Sequence, residues 1–218
     1  MGHLSNPALT GGKRALCARC LRPHNAQLSV QVSACICHWV TPVVADVDVL
    51  ILQHPMETFN PKGTAQLLHL SLPGSQLLIG EVFAPDMLQA ALHAPTAANA
   101  PVQPVLLYPG ESGACTGTAE LTGAAVRFRL VVIDGTWRKS RKMLHLNPQL
   151  QGLPRWTLAS VPPSRYVIRK AHAPHQLSTL EASCAALAQL EGQPEKYTPL
   201  LAAMDRLVAQ QLTFSRPA

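Results

Sequence analysis

The sequence predicts an α/β fold, a mostly parallel sheet covered by helices, with a small cysteine module on its N-terminal side. Three observations predict it. From Asp46 onward, short apolar runs rich in β-branched residues alternate with helical stretches, the texture of buried parallel strands and their crossovers. The C-terminal quarter carries three- and four-residue apolar spacing, one face of a helix. Two close cysteine pairs, Cys17/Cys20 and Cys35/Cys37, lie in a segment with little regular pattern.

The elements follow in chain order. Residues 1–13 hold Asn, Pro, Thr and paired Gly without periodicity and read as a flexible N-terminus. Residues 14–42 form the cysteine module, and residues 43–218 the α/β domain. Strands are expected at 47–53, 76–82, 105–108, 129–133 and 166–168, with helices at 63–70, 86–93 and 137–146. Pro95, Pro101, Pro104, Pro162 and Pro163 fall in expected loops. Leu177, Leu180, Cys184, Leu187 and Leu190 mark one helix face, with Ser178 and Glu181 at capping-box spacing and Gly192 just past the end. A last helix starts at Thr198-Pro199. No internal repeat is present.

Composition narrows the class. The chain has 218 residues, enough for a sizeable core, and its low charged fraction excludes a disordered or coiled-coil protein. Eighteen Lys and Arg against twelve Asp and Glu give a net charge of +6. The surplus is uneven: residues 1–45 hold four cations and no acid, and residues 127–142 hold six cations around Asp134. Such clustering favours a polyanionic partner, most simply nucleic acid. No apolar run approaches transmembrane length, and the basic segments lack the apolar face of a membrane-surface helix. The first residues lack a signal-peptide block, and Asn6 breaks the myristoylation pattern. A cytoplasmic protein is therefore expected, with no membrane and no obligate protein partner, and its six cysteines do not read as a disulfide framework.

The residues that can carry chemistry cluster at strand ends, where open α/β sheets bind ligands. The run Leu130-Val131-Val132-Ile133 ends on Asp134-Gly135-Thr136-Trp137, then Arg138, Lys139, Arg141 and Lys142. Asp134 reads as a catalytic carboxylate, or alternatively as the cap of the next helix. Tyr108-Pro109-Gly110-Glu111 is a turn whose backbone groups suit an adenine edge or the amino-acid end of a ligand, though any tight loop has such residues. His54 is a proton shuttle or a loop holder; Asn60, Lys62 and Thr64 touch a ligand or cap a helix. Arg165, Arg169 and Lys170 make a second basic cluster, for phosphates or as a solvated edge. The four paired cysteines suit a tetrahedral Zn site, with His24 and His38 as substitutes. A redox pair or separate buried thiols are the other readings. Cys115 and Cys184 stand alone, Cys184 on an apolar helix face.

Together these residues resemble the DTW-domain family of tRNA-uridine aminocarboxypropyltransferases. The resemblance rests on Cys17/Cys20 with Cys35/Cys37, His54-Pro55 and Glu57, Tyr108-Pro109, Asp134-Gly135-Thr136-Trp137, Ser164 with Tyr166 and Arg169, and Leu177-Ser178-Thr179 with Glu181-Ala182, over about residues 17–185. It implies a sheet related to the SPOUT methyltransferases, with a knotted C-terminal half as cofactor site. It also implies transfer of the 3-amino-3-carboxypropyl group of S-adenosylmethionine to N3 of a tRNA uridine, releasing 5′-methylthioadenosine. On that basis Asp134 and Trp137 are the expected catalytic residues. Tyr108, Pro109, Gly110, Asp134, Gly135, Thr136, Thr179 and Glu181 are expected around the cofactor. Arg138, Lys139, Arg141, Lys142, Arg165, Arg169 and Lys170 are expected on tRNA. A methyltransferase using the same cofactor and a non-catalytic zinc-dependent RNA-binding module are the competing readings.

Overall fold

The computed structural model describes residues 15–23, 34–95, 101–109, 127–160, 163–168 and 176–214. The expectations for residues 1–13, His24, Gly110, Glu111, Cys115, Pro162, Arg169 and Lys170 lie outside these. Five strands are seen: β1 (Asp48–Gln53), β2 (Gln76–Ile79), β3 (Val102–Leu107), β4 (Arg127–Asp134) and β5 (Arg155–Trp156). All pair in parallel, in the order β2-β1-β4-β3-β5. Strands β1 and β4 share the longest register, Asp48 opposite Arg129 through Gln53 opposite Asp134. Both end at the same level, which brings the two following loops together.

Among the described residues six α-helices cover the sheet: α1 (Ala65–Ser71), α2 (Pro85–His93), α3 (Trp137–Leu146), α4 (Pro148–Gln151), α5 (Thr179–Glu191) and α6 (Thr198–Phe214). Alternation along the strands splits the core into two. Val49, Ile51, Val105, Leu130 and Val132 pack with α1, α5 and α6. Leu50, Leu52, Leu106 and Val131 pack with α2, α3 and α4. A strand buried on both faces needs a continuous apolar run, and that is why Leu130–Ile133 shows no polar alternation. Each fully buried Leu or Val contributes roughly 1.5–3 kcal/mol of hydrophobic stabilisation.

The cysteine segment is part of the larger core. Cys20 and Ile36 are buried among the residues of α1, α5 and α6. The buried Arg22 donates to the carbonyls of Pro61 (2.5 Å) and Gly63 (2.8 Å), and Gln66 donates to Arg19 O. No helix among the described residues is long and apolar enough to cross a membrane.

Three expectations are corrected. Residues 166–168 form a turn rather than a strand: Val167 N–H donates to Arg165 O (3.1 Å), and Tyr166 is buried with its hydroxyl on Lys62 O. Strand β3 begins earlier than expected and contains Pro104. This is tolerated because Leu106 and Tyr108 donate toward β5, and β5 pairs only with Leu106 and Leu107, so the missing N–H of Pro104 lies beyond that partner. Strand β2 stops at Ile79 rather than reaching residue 82. The other expected elements lie within a few residues of their expected positions, and β5 and α4 have no counterpart in the sequence reading.

Candidate active site and cysteine cluster

Strand β4 delivers Asp134 to the carboxyl edge of the sheet, 6% exposed. Its Oδ2 accepts from Gln53 Nε2 (3.0 Å) and its Oδ1 from Thr179 Oγ1 (2.6 Å), while its carbonyl accepts from His54 N (2.9 Å). The carboxylate is thus held by β1 on one side and the start of α5 on the other. It does not cap α3. Thr136 does, its Oγ1 accepting from Lys139 N (3.4 Å), so the capping alternative for Asp134 is excluded. Gly135 permits the tight turn between them, since a Cβ there would come within 3.2 Å of Lys139 Cβ.

A cavity of about 740 Å³ opens at the ends of β3, β4 and β5. Its wall includes Tyr108 and Pro109, Gly135, Thr136 and Trp137, Trp156, and Leu177 to Thr179. Asp134 stands behind this wall, joined to it through the Thr179 hydroxyl. Trp137 is 47% exposed and meets Tyr108 edge-on, ring centroids 5.8 Å apart at 75°. The Arg155 guanidinium lies 5.3 Å from the Tyr108 ring and donates to Pro109 O.

Other expected residues hold the site in shape. Glu181 completes the capping box with Ser178, and its carboxylate accepts from the backbone N–H groups of Ser178 and Arg165 (2.7 Å each) and from Ser164 Oγ. Thr64 Oγ1 accepts from Leu180 N, tying α1 to α5. Asn60 bonds Glu57 and Lys62 N, and Lys62 Nζ reaches Ile168 O. His54 is a loop holder. Its Nδ1 accepts from Met56 N (3.1 Å), which places the ring proton on Nε2, facing Glu81 Oε1 (3.0 Å). With both nitrogens engaged, it has no free lone pair for a substrate proton. Lys142 and His54 together hold the Glu81 carboxyl below the usual carboxylate range.

The basic residues divide. Lys139 pairs with the buried Glu57 (2.8 Å), Lys142 with Glu81 (2.9 Å) and Arg165 with Asp205. Arg138 and Arg141 are exposed and have no acidic partner among the described residues. Arg127 and Arg129 sit toward the far end of β4, roughly 23 Å and 17 Å from Asp134 at about 3.3 Å per residue. Arg129 is buried on Asp48 and the carbonyls of Ala91 and Ala94. Arg155 and Gln176, which the sequence reading missed, stand beside Tyr108 and Trp137 in the site. Arg155 belongs to a two-residue strand, too short for any periodic signal.

The four cysteine sulfurs lie within 4.8 Å of one another, with Cys17–Cys37 and Cys20–Cys35 both at 3.7 Å. Tetrahedral Zn–S bonds of about 2.3 Å put sulfurs about 3.8 Å apart, so the arrangement fits a Zn ion. A backbone N–H from Cys20 helps hold the Cys17 thiol down at about 6, and burial pushes Cys37 up. His38 is exposed and the sulfur set is complete without it. Cys184 is buried in the core, its thiol pushed up by burial.

The DTW domain model matches residues 14–212. The chain is 31% identical to the tRNA-uridine aminocarboxypropyltransferase 2 of Drosophila melanogaster over 92% of its length and 76% of that relative. It is 27% identical to the proteins of that name from Macaca fascicularis, over 94% of the chain and 66% of the relative, and Mus musculus, over 92% and 64%. The chain thus spans about two thirds to three quarters of these relatives. No solved structure matches it.

Proposed function

The chain belongs to the DTW-domain family, and on that premise we propose that it is a tRNA-uridine aminocarboxypropyltransferase. It moves the 3-amino-3-carboxypropyl group of S-adenosylmethionine to N3 of a tRNA uridine, forming acp3U and releasing 5′-methylthioadenosine. Similarity along more than nine tenths of the chain to three proteins of that name carries the reading. A SPOUT-like knot around the cofactor and a cytoplasmic location belong to the same proposal.

The cavity at the strand ends suits the cofactor. Its volume of about 740 Å³ is within the range of small-molecule sites. Its aromatic wall, with no acid among the described lining residues, suits a sulfonium cation beside a neutral reacting centre. Tyr108, Pro109, Gly135, Thr136 and Thr179 are assigned to the contact, with Glu181 behind them fixing the turn. Bound there, S-adenosylmethionine supplies an electrophilic carbon whose bond to sulfur breaks with its electron pair leaving on the thioether.

The chain's own residues orient and deprotonate. Uridine N3 is weakly acidic and must lose its proton for the new N–C bond to form. Asp134 is the assigned acceptor, reached through the Thr179 hydroxyl, which donates to Oδ1 and can accept a proton from the cavity side. Trp137 and Tyr108 present faces and edges on which a base can stack. Arg138 and Arg141 are assigned to phosphates, and the four cysteines to one structural Zn that stiffens their segment.

Incubation of the protein with unmodified tRNA and S-adenosylmethionine, followed by nucleoside mass spectrometry, is the test. Equal amounts of acp3U and 5′-methylthioadenosine are expected. S-adenosylhomocysteine with methylated nucleoside would make it a methyltransferase, and binding without turnover a non-catalytic RNA-binding protein.

A further inference from the structure

A second cavity, also of about 740 Å³, adjoins the first at the Tyr108–Trp137 pair. It shares Tyr108, Trp137, Arg141 and Gln176 with the first, and adds His145 and Arg155 of its own. The two cavities therefore meet along these residues, and Trp137 stands at the junction with nearly half its surface exposed.

Three observations say what this second cavity is built for. It has aromatic groups on its walls in Tyr108, Trp137 and His145. It has two guanidinium groups, Arg141 and Arg155, neither with an acidic partner among the described residues. It has no acid among its described lining residues. Bases of single-stranded or extruded nucleotides bind by stacking on aromatic and guanidinium planes, and their phosphates bind unpaired Arg. A cavity for a second apolar cofactor would not need two uncompensated cations at its mouth.

Chemistry places the acceptor at this junction. A transferred carbon must be approached to within roughly 3–3.5 Å by the attacking atom. With the donor in the first cavity, a uridine can meet that distance only from a site bordering it, and the second cavity borders it along Tyr108 and Trp137. A uridine paired or stacked within a folded tRNA keeps its N3 out of reach, so such a nucleotide has to leave its stack to present that atom.

We propose that this second cavity is the acceptor site, holding the target uridine as an extruded nucleotide. Its ring lies against Trp137 and Tyr108, and its flanking phosphates lie on Arg141 and Arg155. The proposal rests on the transferase reading above and adds where the substrate base sits.

His145 and Arg155 line only this cavity, and His145→Glu separates it from the donor site, whereas Arg155 also braces Pro109 and Tyr108. His145→Glu puts a negative charge on the wall, and Arg155→Gln removes a phosphate partner. Each is expected to weaken tRNA binding and raise the KM for tRNA about tenfold, the scale of one lost stacking or charge contact. Arg155→Gln is also expected to lower the salt slope of tRNA binding by about one. Affinity for 5′-methylthioadenosine and the melting temperature are expected to stay at the parental values for His145→Glu, which leaves the Arg155–Pro109 bond intact. If both variants keep parental tRNA affinity and salt slope, the assignment is overturned while turnover by the parent still upholds the transferase reading. If the parent releases no 5′-methylthioadenosine but the variants lose tRNA, the transfer reading fails and the nucleotide site stands.

Discussion

Asp134 is tied down by two donors from opposite sides, and this decides what its variants report. In Asp134→Asn the amide oxygen can keep Gln53 and the amide nitrogen can donate to the Thr179 hydroxyl, so the loss of stability should stay near 1–2 kcal/mol. Transfer should fall by about 10²–10⁴-fold, the usual worth of a general base. Thermal melts alongside 5′-methylthioadenosine release check both, and a normal melt with parental turnover would make Asp134 a brace only. The neighbouring cations answer to a different test. Arg138→Ala should leave the melt unchanged and reduce the salt slope of tRNA binding by about one. Lys139→Ala should do the reverse, costing about 3 kcal/mol because it takes the cationic partner from the buried Glu57 carboxylate, which keeps its Asn60 bond. In the sequence these two residues look equivalent. Their difference is set by Glu57, 82 positions from Lys139, and no local pattern carries that.

At the scale of elements, helix α5 shows what local chemistry does encode. Ser178, Glu181 and Gly192 announce its two ends, and the structure has the capping box and the left-handed Gly192 at φ 64°. Glu181 does more than spacing reveals, because it also holds Arg165 N and Ser164. Glu181→Ala should therefore cost about 2–3 kcal/mol through stranded backbone donors. It should also weaken 5′-methylthioadenosine binding, as Tyr166 and Leu177 to Thr179 lose their anchor; calorimetry reads both effects. The junction of α1 and β2 carries a pH effect. Burial holds His69 below its ordinary value, with Ser75 Oγ 2.8 Å from Nδ1. The unfolded chain then takes the proton first, so the contribution of His69 is complete above about pH 6.5 and is lost as the pH falls below it. Denaturation midpoints measured down through that range should fall less steeply for His69→Gln. Strand β4 and helix α3 were legible because β-branched runs and basic amphipathic spacing are strong signals. Strand β5 was not, since two residues carry no period. The false strand at 166–168 came from an apolar Tyr-Val-Ile run whose Tyr is buried by the Lys62 contact and not by a sheet.

For the whole molecule, the cysteine pairs told of a cluster that could hold a metal but not of its place in the core. Cys20 and Ile36 share one apolar cluster with α1, α5 and α6, and Arg22 is bonded to the carbonyls beside α1. Purified protein is expected to hold about one Zn per chain. Its removal by chelator should lower the melting temperature of the entire domain in one transition, read alike by far-UV and near-UV circular dichroism. Two separate transitions would mean that the segment folds by itself. The order of strands in the sheet was equally hidden, because it depends on contacts between distant segments. One such contact has a consequence during synthesis. The Asp134–Thr179 bond joins residues 45 apart, and the Leu180–Thr64 bond joins residues 116 apart. A nascent chain that has made β1 to β4 but not α5 and α6 leaves one face of its sheet uncovered, and its carboxylate lacks the hydroxyl that links it to the cavity. The site is therefore completed only when the C-terminal helices have left the ribosome and packed on that face.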